Sequence, residues 1–564
     1  MISVRDLLVE MVDVWTEAKV EQKNSRGRSS NDRKTFYGLK RLKDLILELA
    51  INGRLLNQID DDKTLVAYLS ECTKRADNFF LEEHSGTLPK GWGWVRFGDV
   101  LDFQGGSQPP KNKFSNTKLD GYVQLLQIRD LGENPQPVFI DKKLTTKFCS
   151  SADIMIGRYG ASVGKIFWGK DGAYNVALVK VIDKYDIFDK KFLYQFLNSP
   201  LGQSLFSGIS RSAQAGFNKG DIENKLIPVC TMKDQKRVAA KVEELMQLCS
   251  ELEDRTAKAS DTHENLVETL LALIVNARNK IEIGSAWKKI ENTFDELFST
   301  ESSINFLKLS LLKLAIQGRL TYQNQDDEPA TKLLEQIAVK KSQLISKGLI
   351  KKEKPMRPIS EGEKGFSLPG GWEWVRLQAV IDVRDGTHDS PKESVDSNSY
   401  PLITSKDFNN GEINFSGAKR ISAEDHAEIS KRSFVEKYDI LFSMIGGNIG
   451  NQVMVYTNEQ FSIKNVALFK YYDKELTYPP FIKKYAEYLA DTLQDSAVGG
   501  AQPFVSLGQL RSLVMALPPK QEQRRIVEKL DELLTICEKL REKLIESNRL
   551  RQELADALVN DALI

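Results

Sequence analysis

The chain of 564 residues has few histidines, few cysteines and no long apolar run. Scattered histidines exclude a histidine-based metal cluster, and the absence of a Cys-x-x-Cys pair indicates buried, reduced thiols. No apolar run approaches the ~18 residues of a membrane span. The N-terminus, MISVRDLLVEMVDVW, lacks a cleavable signal pattern. We therefore predict a cytoplasmic protein with no membrane partner. The histidines are His84, His263, His388 and His426, and the cysteines are Cys72, Cys149, Cys230, Cys249 and Cys537.

The motifs of nucleotide-binding and modifying enzymes are also missing. The stretch GASVGK at 160–165 has three residues between its glycines where a phosphate-binding loop has four, and Ile166 replaces the magnesium-binding Ser or Thr. The glycines of MIGGNIG lack dinucleotide-binding spacing. We find neither an Asn/Asp-Pro-Pro-aromatic methyltransferase motif nor a nuclease set of carboxylates. We predict that the chain is not an enzyme, binds no metal and holds no cofactor.

One stretch occurs twice. Residues 234–252 read DQKRVAAKVEELMQLCSEL, and residues 522–540 read EQRRIVEKLDELLTICEKL, with seven identical positions. Apolar residues recur at alternating four- and three-residue steps, as in a coiled-coil seam. The first copy has Val238, Val242, Leu245, Cys249 and Leu252, and the second has Ile526, Leu530, Leu533, Cys537 and Leu540.

A single amphipathic copy would pack on an ordinary core. Two copies favour mutual packing as an antiparallel coiled coil. If the helices run to about Asn279 and Asn560, each is roughly 60–70 Å long at 1.5 Å per residue. Such helices act as a spacer between whatever lies at their ends.

The duplication extends beyond this coil. LELAINGRL ends at Leu55 and LKLAIQGRL at Leu320, while LPKGWGWVRF starts at Leu88 and LPGGWEWVRL at Leu368. Short apolar runs broken by Gly, Pro and Asn follow each LP start, which predicts strands. The fold class is α+β, with two β-rich modules and pseudo-two-fold symmetry from internal duplication. The predicted segments are a helical region at 1–87, a module at 88–230, a central helical region at 231–350, a linker at 351–367, a module at 368–518 and a long helix at 519–564.

These paired features resemble one known family, the DNA-specificity subunits of Type I restriction-modification systems. The resemblance rests on the two LP-x-GW-x-WVR starts, DIMIGRYGASVG and DILFSMIGGNIG, the two NVAL segments, and the PP…EQ-x-x-I sequence that opens the final helix. The first module ends in Val229-Cys230-Thr231 instead of the double proline, which we interpret as loop drift.

The resemblance implies a DNA-recognition subunit whose two target-recognition domains each read one half of an asymmetric bipartite site in double-stranded DNA. The helices then set the spacer and dock two modification subunits, which use S-adenosylmethionine to methylate an adenine flipped from the duplex. Restriction subunits supply ATP-driven translocation and cleavage, and ATP and magnesium belong to partners.

Charge differs between the modules. Residues 88–230 hold 19 Lys and Arg against 13 Asp and Glu, a net +6, and residues 368–518 hold 15 against 19, a net −4. Because base edges carry sequence information, polar and basic residues in loops between strands are the candidate DNA contacts. A plain hairpin turn is the alternative for the glycine-rich loops. The candidates are Ser107, Gln108, Lys111, Lys113, Gln127, Arg129, Arg158, Tyr159, Ser162, Lys165, Arg211, Gln214, Asn218, Lys219, Thr387, His388, Lys392, Thr404, Ser405, Lys406, Ser443, Asn448, Asn451, Gln452 and Gln502.

Two other functions fit parts of the pattern. A coiled-coil scaffold with two protein-binding modules would also show duplication and a spacer, but exchanging a module would change no DNA motif. A self-sufficient modifying enzyme would bind cofactor as an isolated chain.

Overall fold

A computed structural model describes residues 11–18, 36–57, 65–73, 88–132, 134–208, 216–353, 355–409, 411–446, 449–496 and 504–563. The chain divides into two compact units. Unit 1 comprises Met1–Asp261 with Ile545–Ile564, and unit 2 comprises Thr262–Leu544. The six-segment division predicted from the sequence stays a prediction.

The helices are labelled in chain order. Those before the first long helix are α1 Val12–Glu17, α2 Tyr37–Ile51, α3 Leu65–Thr73, α4 Phe97–Val100, α5 Lys190–Asn198 and α6 Pro200–Ser204. The first long helix is α7 Met232–Val275, followed by α8 Lys280–Glu291, α9 Phe294–Leu297, α10 Glu301–Ile316 and α11 Ala330–Ser346. The remainder are α12 Leu377–Val380, α13 Ala423–Ser433, α14 Pro479–Ser496, α15 Leu507–Ser512 and the second long helix, α16 Lys520–Leu563.

Local chemistry explains where several of these helices begin and end. Asp189 caps α5 by accepting hydrogen bonds from two backbone amides, and Thr300 forms a capping box at the start of α10. The predicted end of α2 at Asn52-Gly53 is confirmed, since Gly53 adopts φ +68°. Gly318 adopts the same φ after α10. Only glycine takes this left-handed conformation without strain.

The long helices pack differently from a two-helix coil taken alone. In unit 1, seam residues such as Val242 and Cys249 share a core with Leu39 and Leu42 of α2, together with Val559 of α16. In unit 2, the later part of α7 and Cys537 of α16 share a core with α8 and α10. Short helices therefore cover much of the seam within each unit. The antiparallel coiled coil stays a prediction.

The first module contains strands β1 to β10. A central sheet has the order β2-β9-β6-β7, a second sheet the order β4-β3-β8-β5, and β1 pairs with β10. The strands are β1 Gly93–Arg96, β2 Leu101–Gly105, β3 Tyr122–Leu126, β4 Phe139–Asp141, β5 Phe148–Cys149, β6 Ile154–Gly157, β7 Ile166–Trp168, β8 Gly172–Tyr174, β9 Leu178–Asp183 and β10 Leu226–Val229.

The second module repeats this plan. Its central sheet has the order β12-β20-β17-β18, a second sheet has the order β16-β13-β19, and β11 pairs with β21. A hairpin of β14 and β15 completes it. The strands are β11 Glu373–Arg376, β12 Ile381–Asp385, β13 Tyr400–Ile403, β14 Phe408–Asn409, β15 Glu412–Ile413, β16 Lys419–Ile421, β17 Ile440–Ser443, β18 Gln452–Met454, β19 Ser462–Ile463, β20 Val466–Tyr471 and β21 Val514–Leu517.

One predicted strand is shifted in the structure. The sequence run 175–181 suggests a strand from Asn175, but β9 starts at Leu178. The Leu178 amide donates to the Asn175 carbonyl, which closes a turn before the sheet begins. The prediction was wrong at this end because the Asn175 side chain accepts a hydrogen bond from the Ala177 amide at 3.1 Å, which favours a turn.

The cysteines confirm the thiol prediction in part. All five are free; Cys149, Cys230, Cys249 and Cys537 are buried, and Cys72 is half-buried. Burial raises the pKa of Cys149 and of Cys249 to about 11, so both remain protonated at neutral pH. Across the described ranges, no helix is both long and apolar enough to cross a membrane.

Candidate nucleic-acid interface

Polar loops of the first module meet at one edge of its central sheet. Backbone amides of Gly106 and Ser107 donate to the carbonyls of Leu178 and Tyr174 at 3.2 and 3.1 Å. The Arg158 amide donates to Ala177 O at 2.9 Å. The loops after β2 and β6 are thereby joined to the turn before β9. We call residues 104–113, 127–132, 158–165, 174–177 and 216–221 the first loop edge.

A close backbone approach fixes this edge. A Cβ added at Gly106 would lie 2.1 Å from the carbonyl oxygen of Asn175. The Asn175 amide in turn donates to Leu126 O at 3.0 Å, which brings in the loop after β3. Only glycine at position 106 allows the two loops to touch.

The late loop of the first module packs on the turn that follows β6. Tyr159 forms a β-bridge with Gly216. Arg158 Nε donates to Phe217 O at 3.2 Å, and Nη2 donates to Asn218 Oδ1 at 3.0 Å. The structure thus joins two loops that the sequence analysis proposed separately.

An ion pair ties this late loop to strand β2. Lys219 Nζ lies 3.0 Å from Asp102 Oδ1. Burial raises the pKa of Asp102, but the hydrogen bonds from Lys219 and the Phe103 amide outweigh burial and hold that pKa below its usual range. Asp102 is therefore ionised at neutral pH.

The other candidates of the first loop edge are in short helical turns or on the surface. Asp130 is buried and accepts hydrogen bonds from the amides of Gln127 and Gln136, both at 2.9 Å, which fixes the turn bearing exposed Arg129. Ser107 Oγ lies 2.6 Å from Thr145 Oγ1. Exposed side chains are Gln108, Lys111, Lys113, Lys165, Asn218 and Lys219, whereas Gln127, Tyr159 and Ser162 are half-buried.

The second module has an equivalent edge. The Gly386 amide donates to Val466 O at 3.1 Å, and the Thr387 amide donates to Ile463 O at 2.9 Å. Lys464 donates its amide to Ile403 O at 2.9 Å. We call residues 385–392, 404–409, 443–446, 449–452 and 463–465 the second loop edge.

His388 is held between two side chains of this edge. Its Nε2 lies 2.8 Å from Asp385 Oδ2, and its Nδ1 lies 3.2 Å from Asn465 Oδ1. Asn465 adopts φ +56°, a left-handed conformation that asparagine tolerates better than most residues. The ring is exposed at the surface. Its Nε2 nevertheless faces a carboxylate, and its Nδ1 faces a side-chain amide.

Three candidates of the second module lie below its surface. Ser443 is 0 % exposed, Thr387 5 % and Gln452 7 %. Within the described ranges, Ser443 Oγ and Gln452 Oε1 have no hydrogen-bond partner. Direct base contact by these side chains would require them to become exposed, and the edge as it stands presents other residues. Lys392 and Lys406 are exposed, and Thr404, Ser405 and Asn451 are half-buried.

Four predicted candidates lie outside the described residues: Arg211, Gln214, Asn448 and Gln502. Conversely, the candidates predicted from the sequence do not include Asn175, Lys464 or Asn465, which the structure places at the centre of the loop edges. The signal was present, because Asn175 and Asn465 open the two NVAL segments.

No metal centre accompanies these edges in the described part of the chain, where His, Cys, Asp and Glu side chains form no group suited to a metal ion. What the loop edges offer is hydrogen-bond donors and acceptors on rigid strand ends. Such groups bind a ligand through direct hydrogen bonds.

Comparison with known proteins gives a consistent result. The model of one family, the Type I restriction modification DNA specificity domain, matches residues 89–259 and 369–547. The chain is 30% identical to the Type I restriction enzyme EcoAI specificity subunit of Escherichia coli and 29% identical to the EcoEI specificity subunit, over the full length of both chains in each case. A solved structure described as "Structural basis underlying complex assembly and conformational transition of the type I R-M system" matches 85% of this chain and 99% of its own, at 18% identity and a TM-score of 0.47.

Proposed function

The chain belongs to the Type I restriction modification DNA specificity family, and on that premise we propose how its two modules divide DNA recognition. As a specificity subunit it recognises DNA sequence and carries out no catalytic step. The family match does not favour the scaffold or the self-sufficient enzyme. We assign one half of an asymmetric bipartite target to each module.

The observation that carries this proposal is the repeated edge. In both modules an equivalent backbone hydrogen bond joins the loop after one strand to the start of the neighbouring strand, from β2 to β9 and from β12 to β20. The Gly106 amide donates to Leu178 O, and the Gly386 amide donates to Val466 O. The side chains on that common frame differ. A repeated frame with different side chains is what two different half-sites require.

We assign the DNA contacts to the exposed and half-buried candidates of the two loop edges. Lysines such as Lys165 and Lys406 are suited to phosphates, and their loss should weaken binding without changing the motif. Gln108 has an amide group suited to base edges. Ser443, Thr387 and Gln452 become contacts only if binding exposes them.

The proposed partners are double-stranded DNA, two modification subunits and the restriction subunits, with S-adenosylmethionine, ATP and magnesium held by those partners. We place the complex in the cytoplasm, with the DNA that it marks. The two long helices are proposed to set the number of unspecified base pairs between the half-sites.

Exposed apolar side chains at equivalent positions support two copies of one partner. Unit 1 exposes Leu248 to 47 % and Leu554 to 47 %, and unit 2 exposes Ile536 to 48 % and Leu266 to 50 %. Leu248 matches Ile536, and Leu266 matches Leu554, in the internal repeat. Two equivalent uncovered apolar positions suit two identical docking partners.

The docking proposal predicts a change in stoichiometry. Leu248→Glu should remove one modification subunit from the complex and Leu248→Glu with Ile536→Glu should remove both, because each Glu must be desolvated in an apolar contact. Native mass spectrometry of the co-expressed complex measures this. The control, Gln247→Glu with Thr535→Glu, adds the same charges one residue away and should leave two modification subunits bound. Equal loss of modification subunits in the two double variants would contradict a contact at Leu248 and Ile536.

The recognition proposal is tested by mapping modified bases in genomic DNA. Cells expressing this chain with its modification subunit should show a split, asymmetric adenine-methylated motif that is missing when only this chain is omitted. Exchanging residues 88–230 for those of a relative should change one half and retain the other. Identical maps with and without the chain, despite a stable complex, would refute DNA recognition.

A further inference from the structure

The guanidinium group of Arg158 is held along one of its two donor edges. Nε donates to Phe217 O at 3.2 Å and Nη2 to Asn218 Oδ1 at 3.0 Å. These two nitrogens form the lateral edge of the planar group, so the late loop occupies that edge. One N–H of Nη2 and both N–H groups of Nη1 are not used by these two hydrogen bonds.

The remaining edge is the end of the guanidinium fork. There, one N–H of Nη1 and one N–H of Nη2 point in parallel, the geometry that pairs with two neighbouring acceptors. The structure shows no protein acceptor bonded to Nη1 in the described ranges. The unoccupied pair is therefore available to a ligand.

The two in-plane hydrogen bonds hold the plane of the group as well as its edge, and an aromatic ring lies beside it. The Arg158 guanidinium carbon lies 5.2 Å from the centre of the Tyr159 ring. Tyr159 is itself held by its bridge to Gly216, where an added Cβ would lie 2.5 Å from the tyrosine ring. A fixed plane gives directional recognition, which a simple phosphate contact does not need.

Within the described residues, Arg158 also has no carboxylate partner for its charge. Its hydrogen-bond partners in the described ranges are a backbone carbonyl and a neutral side-chain amide, whereas the neighbouring Lys219 is paired with Asp102. A cation on a fixed plane, without a carboxylate, favours a target that offers two acceptors and partial negative charge. In the major groove, guanine presents O6 and N7 in this arrangement.

We infer that Arg158 reads a guanine in the half-site of the first module through Nη1 and Nη2, with Asn218 as the residue that positions it. This inference rests on the proposed function, since it names the base that one loop edge recognises. Asn218 acts through the guanidinium and touches no base in this role.

The second module provides an internal contrast. Met444 follows β17 as Arg158 follows β6, and the next residue, Ile445, forms a bridge with Phe504 as Tyr159 does with Gly216. Met444 is buried, with 5 % of its surface exposed. The same frame therefore places an apolar side chain where the first module has a bidentate donor, and the second half-site is read by other groups.

The test uses the assembled complex of the full chain with its modification subunits, and maps methylated motifs with wild type, Arg158→Lys, Arg158→Ala and Asn218→Ala. The inference requires a G·C pair in the half-site that follows module 88–230. Arg158→Lys should keep the charge but lower discrimination at that pair about 10- to 100-fold, as expected for a lost bidentate contact. Asn218→Ala should relax the same position less, and the other half-site should be unchanged in every variant.

A second measurement leaves the protein unaltered. A duplex carrying 7-deazaguanine at that pair lacks the N7 acceptor and should bind the wild-type complex about 10-fold more weakly, while the same substitution at a spacer guanine should have no effect. For the Arg158 variants, Lys165→Ala in the same turn is the matched control. It should weaken binding to all DNA sites equally.

The outcomes separate the inference from the function. Uniform weakening by Arg158→Ala with an unchanged motif would make Arg158 a phosphate contact and overturn the inference. A split motif without G·C in the first half would also overturn it but leave recognition by the module intact. If the wild-type chain produces no motif, the proposed function itself fails.

Discussion

The two modules share a backbone frame but not the chemistry displayed on it. In each, the loop after β2 or β12 is hydrogen-bonded to the start of β9 or β20. The turn after β6 or β17 forms a β-bridge with a late loop. On that frame the first module places Arg158 and the second Met444. The first also carries a net +6 and the second −4. The two modules thus share the backbone hydrogen bonds that position the loops, while the side chains of those loops have diverged.

A smaller difference occurs where each long helix begins. In unit 2, Glu522 is buried and accepts hydrogen bonds from Trp372 Nε1 at 2.9 Å and Gln323 Nε2 at 3.0 Å. In unit 1, Asp234 takes the place of Glu522 and pairs with Arg237 at 3.0 Å. Trp92 Nε1 is buried without a partner in the described ranges. The carboxylate that is one methylene shorter leaves the indole of unit 1 unsatisfied.

The largest expected effect breaks the loop frame itself. Gly106→Ala places a Cβ 2.1 Å from Asn175 O, and Gly386→Ala places one 2.8 Å from Ile463 O. We expect losses of about 3 and about 1 kcal/mol in local stability, because a backbone must shift in each case and further in the first. Hydrogen exchange of peptides from each module measures both.

The matched controls are glycines with open space. Gly220→Ala and Gly417→Ala meet no atom within 4 Å, so exchange should be unchanged in both. The half-site of the first module should be lost in Gly106→Ala while the second is retained. Equal exchange in all four variants would contradict the close approach.

The next effect concerns the helix starts. Glu522→Leu should destabilise the region around Trp372 by about 2 kcal/mol, because the buried indole N–H of Trp372 loses its acceptor. Asp234→Leu should cost less than about 1 kcal/mol, since Trp92 has no acceptor to lose. Glu522→Gln retains an oxygen and should cost little. Hydrogen exchange of peptides containing either tryptophan distinguishes these results, and equal costs for the two leucine variants would remove the contrast.

Ion pairs on the two central sheets should matter less. Asp102 pairs with Lys219 in the first module, and the equivalent Asp382 pairs with Arg384 at 2.7 Å in the second. Both are partly exposed, so double-mutant cycles with Asn at the acid and Ala at the base should give coupling energies of about 0.5 kcal/mol. A coupling several times larger in either module would show that its pair is shielded from water.

The smallest effect is a difference in the sign of the pH dependence. Burial raises the pKa of Glu522, so its contribution is present below the pKa of the unfolded chain and is lost as pH rises through the folded pKa. The pKa of Asp102 is lowered, so its contribution is present above the unfolded value of about 3.9 and is lost as pH falls.

Stability should be compared between wild type and Glu522→Gln, and between wild type and Asp102→Asn, from pH 3 to 8 by local hydrogen exchange. The wild-type advantage should shrink with rising pH for the first pair and with falling pH for the second. Slopes of the same sign would contradict one of the two pKa directions.

The placement of many candidate residues could be predicted because their loops follow strands that the sequence marks clearly. Gln127, Arg158 and His388 each come after an apolar run, and the structure places each at a loop edge. The burial of Ser443 and Gln452 could not be predicted, since both are polar residues within three positions of a glycine and resemble surface residues. Their positions at paired ends of β17 and β18 decide it.

The sequence by itself determined the duplication, the two long helices, the two β-rich modules and the family, because helix period, strand composition and repeated motifs are properties of neighbouring residues. Only the tertiary structure decided which loops meet. Arg158 and Asn218 are 60 residues apart, and their bond depends on the order β2-β9-β6-β7 and on a glycine that lets the late loop approach. Strand order and close approach depend on contacts between distant segments, and local patterns do not encode them.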